Sequence, residues 1–158
     1  MNTLMIFIAQ YLILLAPIII IIIYIWVHDK KREAIKDSVY MSIASGVAWG
    51  IAHILKNMFK TLRPELAHDI LLKSESIYAF PSGHTTFMFA LATVLYFHHK
   101  KLAYATYVIG LAIGIARVYI GVHYPIDIVG GIVLGIAVGL FSKYIYGKIK
   151  NKIKKDNY

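Results

Sequence analysis

Cysteine is absent from the 158 residues, so neither disulfides nor thiolate-bound metal can hold the fold. Carboxylates are scarce as well: eight Asp and Glu stand against seventeen Lys and Arg, a formal net charge of +9. Glu65, Asp69 and Glu75 fall in one stretch but at irregular spacing, so no carboxylate set suited to magnesium is readable. No metal and no cofactor is expected. No positive residue precedes the first apolar run, and that run is too long for the core of a cleaved secretory signal. Internal repeats and divided composition are both lacking. One domain over residues 1–147, followed by a basic tail over 148–158, is the expected organisation.

Apolar residues are what the chain has most of. They make up 59% of it, with mean hydropathy +0.65, which is too apolar for an ordinary soluble domain of this size. They are also clumped into runs near or above bilayer-spanning length. The basic residues stand at the ends of these runs, with a dense group at Lys148, Lys150, Lys152, Lys154 and Lys155. Lysines in such places set membrane topology and meet anionic headgroups. The bilayer and its lipids are therefore the expected partners, and nucleic acid is not.

Five spans can be read. The first covers Thr3 to Val27, about 37 Å of helix at ~1.5 Å per residue. A charged loop is expected from His28 to Asp37, then a second span from Val39 to Phe59. A polar connection over Thr61 to Phe80 carries Glu65, His68, Asp69, Lys73 and Glu75. The third span, Pro81 to Phe97, is short and ends at His98-His99-Lys100-Lys101, which reads as a solvated turn. The fourth runs from Leu102 to Ile120, and Pro125 opens a fifth that ends near Tyr146. The expected fold is an all-α polytopic transmembrane bundle. Glycines recur every four residues at Gly46 and Gly50, at Gly110 and Gly114, and at Gly131, Gly135 and Gly139, a pattern that seats one helix closely on another.

Twelve of the seventeen Lys and Arg fall in loop 28–37, loop 98–101 and the segment after 142. By the positive-inside rule that side is cytoplasmic, and the connections 61–80 and 121–124 face outward. A plasma-membrane protein with its chemistry on the extracytoplasmic face is expected.

A charge deep in a span costs about 2.5–3.5 kcal/mol, so charges there are informative. Lys56 and Arg117 lie near the ends of the second and fourth spans, and Arg63 lies in the adjoining connection. His84 and Asp127 lie in the first turns of the third and fifth, and His123 immediately precedes the fifth. In the five-span reading all six meet at the outer boundary. Each alone has an ordinary explanation: a cation complementing a helix C-terminus or snorkelling, a carboxylate in a first turn behind a proline. Their grouping is what those explanations leave out. His53, one turn before Lys56, is read as a packing or polar contact.

The spacing adds to the grouping. Lys56, six residues and Arg63-Pro64 form one element, Pro81-Ser82-Gly83-His84 a second, and Arg117, five residues, His123, three residues and Asp127 a third. This order resembles the type 2 phosphatidic acid phosphatase superfamily, membrane lipid phosphatases related to vanadium-dependent haloperoxidases. The likeness runs from Lys56 to Asp127, with spans bracketing the motifs as in that family. Ala116 stands where the family commonly has serine before its arginine. The chain also reads as one span short of members that have six.

Physical chemistry and resemblance point the same way. Phosphoryl transfer needs positive charge around the equatorial oxygens, an in-line nucleophile and a proton for the leaving oxygen. Lys56, Arg63 and Arg117 supply charge, and the arginines can bind phosphate bidentately. Free backbone N–H groups at Ser82 and Gly83, at a helix start, would add donors. The resemblance implies that His123 is the nucleophile, forming a phosphohistidine, that Asp127 orients it, and that His84 protonates the leaving oxygen and later helps water attack.

A site at the boundary favours a lipid phosphate over a soluble ester. The stretch from Arg117 to Asp127 is similar to that of small bacterial undecaprenyl-diphosphatases in the superfamily, which implies a polyprenyl diphosphate as substrate. Phosphatidylglycerophosphate or phosphatidic acid is the nearest alternative, followed by an archaeal dolichyl diphosphate or a lipid A phosphate. A non-enzymatic lipid-phosphate binding or transport protein is the competing class.

Overall fold

A computed structural model describes residues 3–64 and 76–156. The expected connection residues Glu65, His68, Asp69, Lys73 and Glu75 lie outside them. The described residues form six helices: α1 (Thr3–Gln10), α2 (Leu12–Val27), α3 (Lys31–Phe59), α4 (Gly83–Tyr96), α5 (Lys100–Tyr119) and α6 (Pro125–Asp156). Three of these, α3, α5 and α6, are long and apolar enough to cross a membrane, and α1 with α2, bent by 58°, makes a fourth when the pair is counted as one span. The short third span is α4, packed among α3, α5 and α6 with nearly all of its side chains buried.

The environment of α4 explains why so polar a helix start is tolerated. Its Thr85, Thr86 and Thr93 are buried and hydrogen-bonded, Thr86 Oγ1 to the Ser82 carbonyl at 2.8 Å and Thr93 Oγ1 to the Phe89 carbonyl at 2.7 Å. The face α6 turns to it has no side chains at Gly131, Gly135 and Gly139. A Cβ at Gly135 would stand 2.6 Å from the Thr86 carbonyl oxygen, and one at Gly131 would stand 2.8 Å from that of Ser82. Without lipid-side hydrophobic drive, such backbone approach supplies the packing energy. Outward, Leu14, Ile22, Val108, Ile126 and Val133 are exposed, as a lipid-facing surface requires.

Four expectations change. Lys31 to Asp37 is not loop but the first two turns of α3, entered with Lys31 Nζ donating to the Ile25 and Trp26 carbonyls at 2.9 and 2.7 Å. The first span breaks at Tyr11. Gly46 and Gly50 seat no helix, since a Cβ at either would meet nothing within 4 Å. The basic tail continues α6 as helix to Asp156.

His98 is also no freely solvated turn residue. Its Nδ1 lies 3.1 Å from Asp37 Oδ2, the oxygen that also accepts from Tyr24 Oη at 3.1 Å. This clasp ties α2, α3 and the α4–α5 turn together at the end of the bundle opposite the six grouped residues. The next residue, His99, caps α5, its Nδ1 accepting from the Leu102 N–H at 3.2 Å.

Candidate active site

The C-terminal ends of α3 and α5 and the N-terminal ends of α4 and α6 meet at one end of the bundle. Lys56 in the last turn of α3, Arg117 in the last turn of α5, Gly83 and His84 opening α4, and Asp127 in the first turn of α6 are thereby brought to one place. Arg63 arrives from the connection after α3. Lys60 ends that helix in a left-handed conformation (φ 51°), and an isolated antiparallel bridge between Leu62 and Tyr78 pins the chain beyond it. Arg63 Nε then donates to the Ser76 carbonyl and Nη1 to the Val122 carbonyl, both at 2.8 Å.

His123 is the centre of this group. Its Nδ1 lies 3.1 Å from Asp127 Oδ2, which also accepts the Tyr124 backbone N–H at 2.8 Å. An oxygen already accepting one N–H fixes the direction of the other bond: Nδ1 carries the proton and donates. The lone pair is then left on Nε2, 3.5 Å from Arg63 Nη1. On the far side, Arg117 Nη1 lies 3.4 Å from His84 Nε2 and donates to the Ala9 carbonyl at 3.0 Å. Burial first, and then the charges of Arg117, Arg63, Lys56 and the neighbouring His84, hold the His123 ring well below the ordinary imidazole pKa. It stays neutral at pH 7.

Burial within the site is uneven. Relative exposure is 6% for Lys56, 8% for Arg63, 1% for Arg117, 2% for His123 and 1% for Asp127, whereas His84 is part-exposed.

Ser82 differs from its expected role in one respect. Its N–H is not free for a ligand but donates to the Asp127 carbonyl at 3.0 Å, locking the start of α4 to that of α6. Its hydroxyl, fully buried, accepts from Thr85 Oγ1 at 3.1 Å. The backbone donors at the start of α4 that lie beyond this lock begin at Gly83. Ala116, in the place of the family's serine, is buried in an apolar contact with Ala9, Ile120 and Val122. Sequence reasoning missed the Ala9 carbonyl and the Leu62–Tyr78 bridge, neither of which has a side-chain signature. Among the described residues, no three His, Asp or Glu side chains gather as metal ligands.

Residues 37–151 match the family model described as the PAP2 superfamily. The chain belongs to that superfamily. It is a membrane lipid phosphatase. It is 28% identical over 171 residues to an undecaprenyl-diphosphatase, BcrC, of Bacillus subtilis, an alignment covering 98% of this chain and 87% of the relative. The crystal structure of a transmembrane PAP2-type phosphatidylglycerolphosphate phosphatase from Bacillus subtilis superposes with a TM-score of 0.63 at 28% identity, over 89% of this chain and 72% of that one. That of Aquifex aeolicus LpxE superposes with 0.60 at 27% identity, over 85% and 78%. The PAP2 match includes all of α4 and α5 and leaves α1, α2 and the start of α3 outside it.

Proposed function

We propose that this PAP2 protein hydrolyses a polyprenyl diphosphate, undecaprenyl diphosphate foremost, to the monophosphate at the extracytoplasmic face of the plasma membrane. The observation that carries the reading is the His123–Asp127 pair buried among Lys56, Arg63 and Arg117. A neutral imidazole with its Nε2 lone pair directed among three cations is suited to attack phosphorus whose oxygens those cations hold. The relatives named for undecaprenyl diphosphate support the substrate, and the distribution of Lys and Arg supports the face.

The steps follow from the geometry. The terminal phosphate enters past His84 and binds the three cations and the N–H groups from Gly83 onward. It takes over the Arg117 N–H directed at His84, which frees Nε2 of that ring to take a proton from solvent, so that the imidazolium can serve the leaving oxygen. His123 Nε2 attacks phosphorus, the bridging P–O bond breaks, and its electron pair passes to the lipid monophosphate, whose oxygen takes a proton from His84. Asp127 stabilises the ring as it becomes positive. Water, losing a proton to His84, then attacks the phosphohistidine, and the N–P bond breaks to release phosphate and neutral His123. The fixed cations act on charge that spreads in the transition state, where pre-set dipoles and charges help most.

The test is phosphate release by protein purified in detergent, offered undecaprenyl diphosphate, phosphatidylglycerophosphate and phosphatidic acid in turn. Highest kcat/KM for the diphosphate is expected. Preference for phosphatidylglycerophosphate would transfer the substrate assignment to the glycerophospholipid. No release from any of the three would favour a binding or transport protein.

A further inference from the structure

A groove of about 530 Å³ opens on the flank of the bundle between α2, α3 and α4. Leu14, Pro17 and Ile18 of α2, Trp49 of α3 and Phe87 of α4 line it, and its one ionisable lining residue is His84. Ser42 and Trp49 lie on the groove side of α3, about 10 Å apart along the axis. Gly46 falls between them on the same face. That position explains a glycine with no helix to seat, because the space beyond it stays open.

Resting on the diphosphatase reading, the chemistry assigns an occupant. In that reaction His84 protonates the leaving group, and the hydrocarbon belongs to the leaving group. The chain must therefore run from the phosphate past His84, and the groove beside that ring is apolar and open to lipid. We propose that the groove seats the head-proximal isoprenoid units of the substrate, and that α2 is the wall that reads them.

Transfer from lipid into this groove brings no hydrophobic gain, since the acyl chains outside are as apolar as its walls. Discrimination rests on shape, through contact with Pro17, Ile18 and Trp49. The wall on α2 lies outside residues 37–151, the part matched to the PAP2 family. The α2 side of the groove thus lies outside the segment that carries the catalytic residues, while Trp49 and Phe87 on the other side lie within it.

Gly46→Phe, made in the full-length protein, fills the groove from a position where added atoms meet no packed neighbour. Its kcat/KM for undecaprenyl diphosphate should fall roughly tenfold, the scale on which apolar pockets discriminate. For isopentenyl diphosphate, which has one isoprenoid unit, it should stay within about twofold of the parent. Val138→Phe is the control, placed in the separate apolar groove between α3 and α6, and should change neither. Equal losses on both substrates, no loss on the long one, or the same loss from Val138→Phe would overturn the assignment.

A second measurement does not depend on turnover. A polyprenyl phosphate carrying a diazirine in its first unit should crosslink to residues 12–27 and 42–49. Adducts confined to α5 and α6 would overturn the groove even if the enzyme is active. An unaltered protein that releases no phosphate from either diphosphate would instead overturn the diphosphatase reading, with the crosslinking still testing the groove.

Discussion

Arg117 donates to the carbonyl of Ala9 at 3.0 Å, across 108 residues of sequence. Ala9 lies in the last turn of α1, just before the 58° bend at Tyr11. A carbonyl turned toward a guanidinium is lost to the helix ladder, which is one of the recognised causes of a kink. The bend in the first span thus stands beside the contact that holds Arg117, the arginine proposed to bind phosphate. Arg117→Lys keeps the charge but loses the planar fork. Its kcat/KM for phosphate release should drop by about 10²-fold, the scale of losing one pre-set donor to the transition state. Deleting residues 1–10 should also lower kcat/KM, although α1 contributes no side chain to the six grouped residues.

His123→Ala should abolish turnover, and retention of more than about 1% of activity would reject the nucleophile, since removing such a group costs many powers of ten. Asp127→Asn leaves the shape but disturbs the tautomer, and a loss of roughly 10³–10⁴ in kcat is expected by comparison with catalytic triads. Rapid quench with a ³²P-labelled diphosphate should trap acid-labile label on the parent protein and none on His123→Ala.

The pH profile follows from the sign of the shift at His123. Its folded-state pKa is depressed by burial and by Arg117, Arg63, Lys56 and His84, so the ring stays unprotonated below the ordinary value of about 6.5. The acid limb of kcat/KM attributable to the nucleophile should therefore lie below pH 6.5. Lys56→Met removes one repelling charge, and the limb should move upward in pH while the activity level falls. A limb that stays in place would show that another group governs it.

At the opposite end of the bundle, burial lowers the pKa of His98, and the Asp37 carboxylate opposes that shift. The folded protein thus binds this proton less well than the unfolded chain does. Its contribution to stability is complete above about pH 6.5 and is lost as pH falls toward the folded-state value. Asp37→Asn should destabilise by about 1–3 kcal/mol, because it weakens two part-buried hydrogen bonds at once. A lower Tm in detergent, with kcat/KM changed little, is the expected result.

Two α6 and α3 glycines should behave oppositely. Gly135→Ala places a methyl 2.6 Å from the Thr86 carbonyl and should destabilise by about 1–3 kcal/mol as α6 moves off α4. Gly50→Ala meets nothing within 4 Å and should stabilise α3 by roughly 0.5–1 kcal/mol. Thermal unfolding of both variants checks the pair.

The contrast also marks what could be read before the fold was known. Lys56, Arg63, His84, Arg117, His123 and Asp127 were legible because each is costly in or beside an apolar run, and their spacing limits where they can go. The four-residue glycine rhythm was legible on α6, where α4 fills it, but the same rhythm on α3 faces open space at Gly46 and Gly50. The start of α3 was hidden because Lys31 to Asp37 lies beyond the apolar stretch and carries no periodic signal. The break at Tyr11 carries no local mark in the sequence, and the contact beside it, Arg117 on the Ala9 carbonyl, comes from 108 residues away. Asp37 and His98 looked like solvated loop residues until the fold placed each beside the other.

The length of α4 has a further effect on how a lipid is handled. Fourteen residues rise about 21 Å, against about 30 Å of hydrocarbon in an ordinary bilayer. If its His98 end is held at one layer of headgroups, His84 stands on the order of 9 Å short of the other. Either the membrane thins around this protein or the diphosphate sinks to meet the histidines. In both cases the phosphate is handled below the headgroup level of the surrounding bilayer.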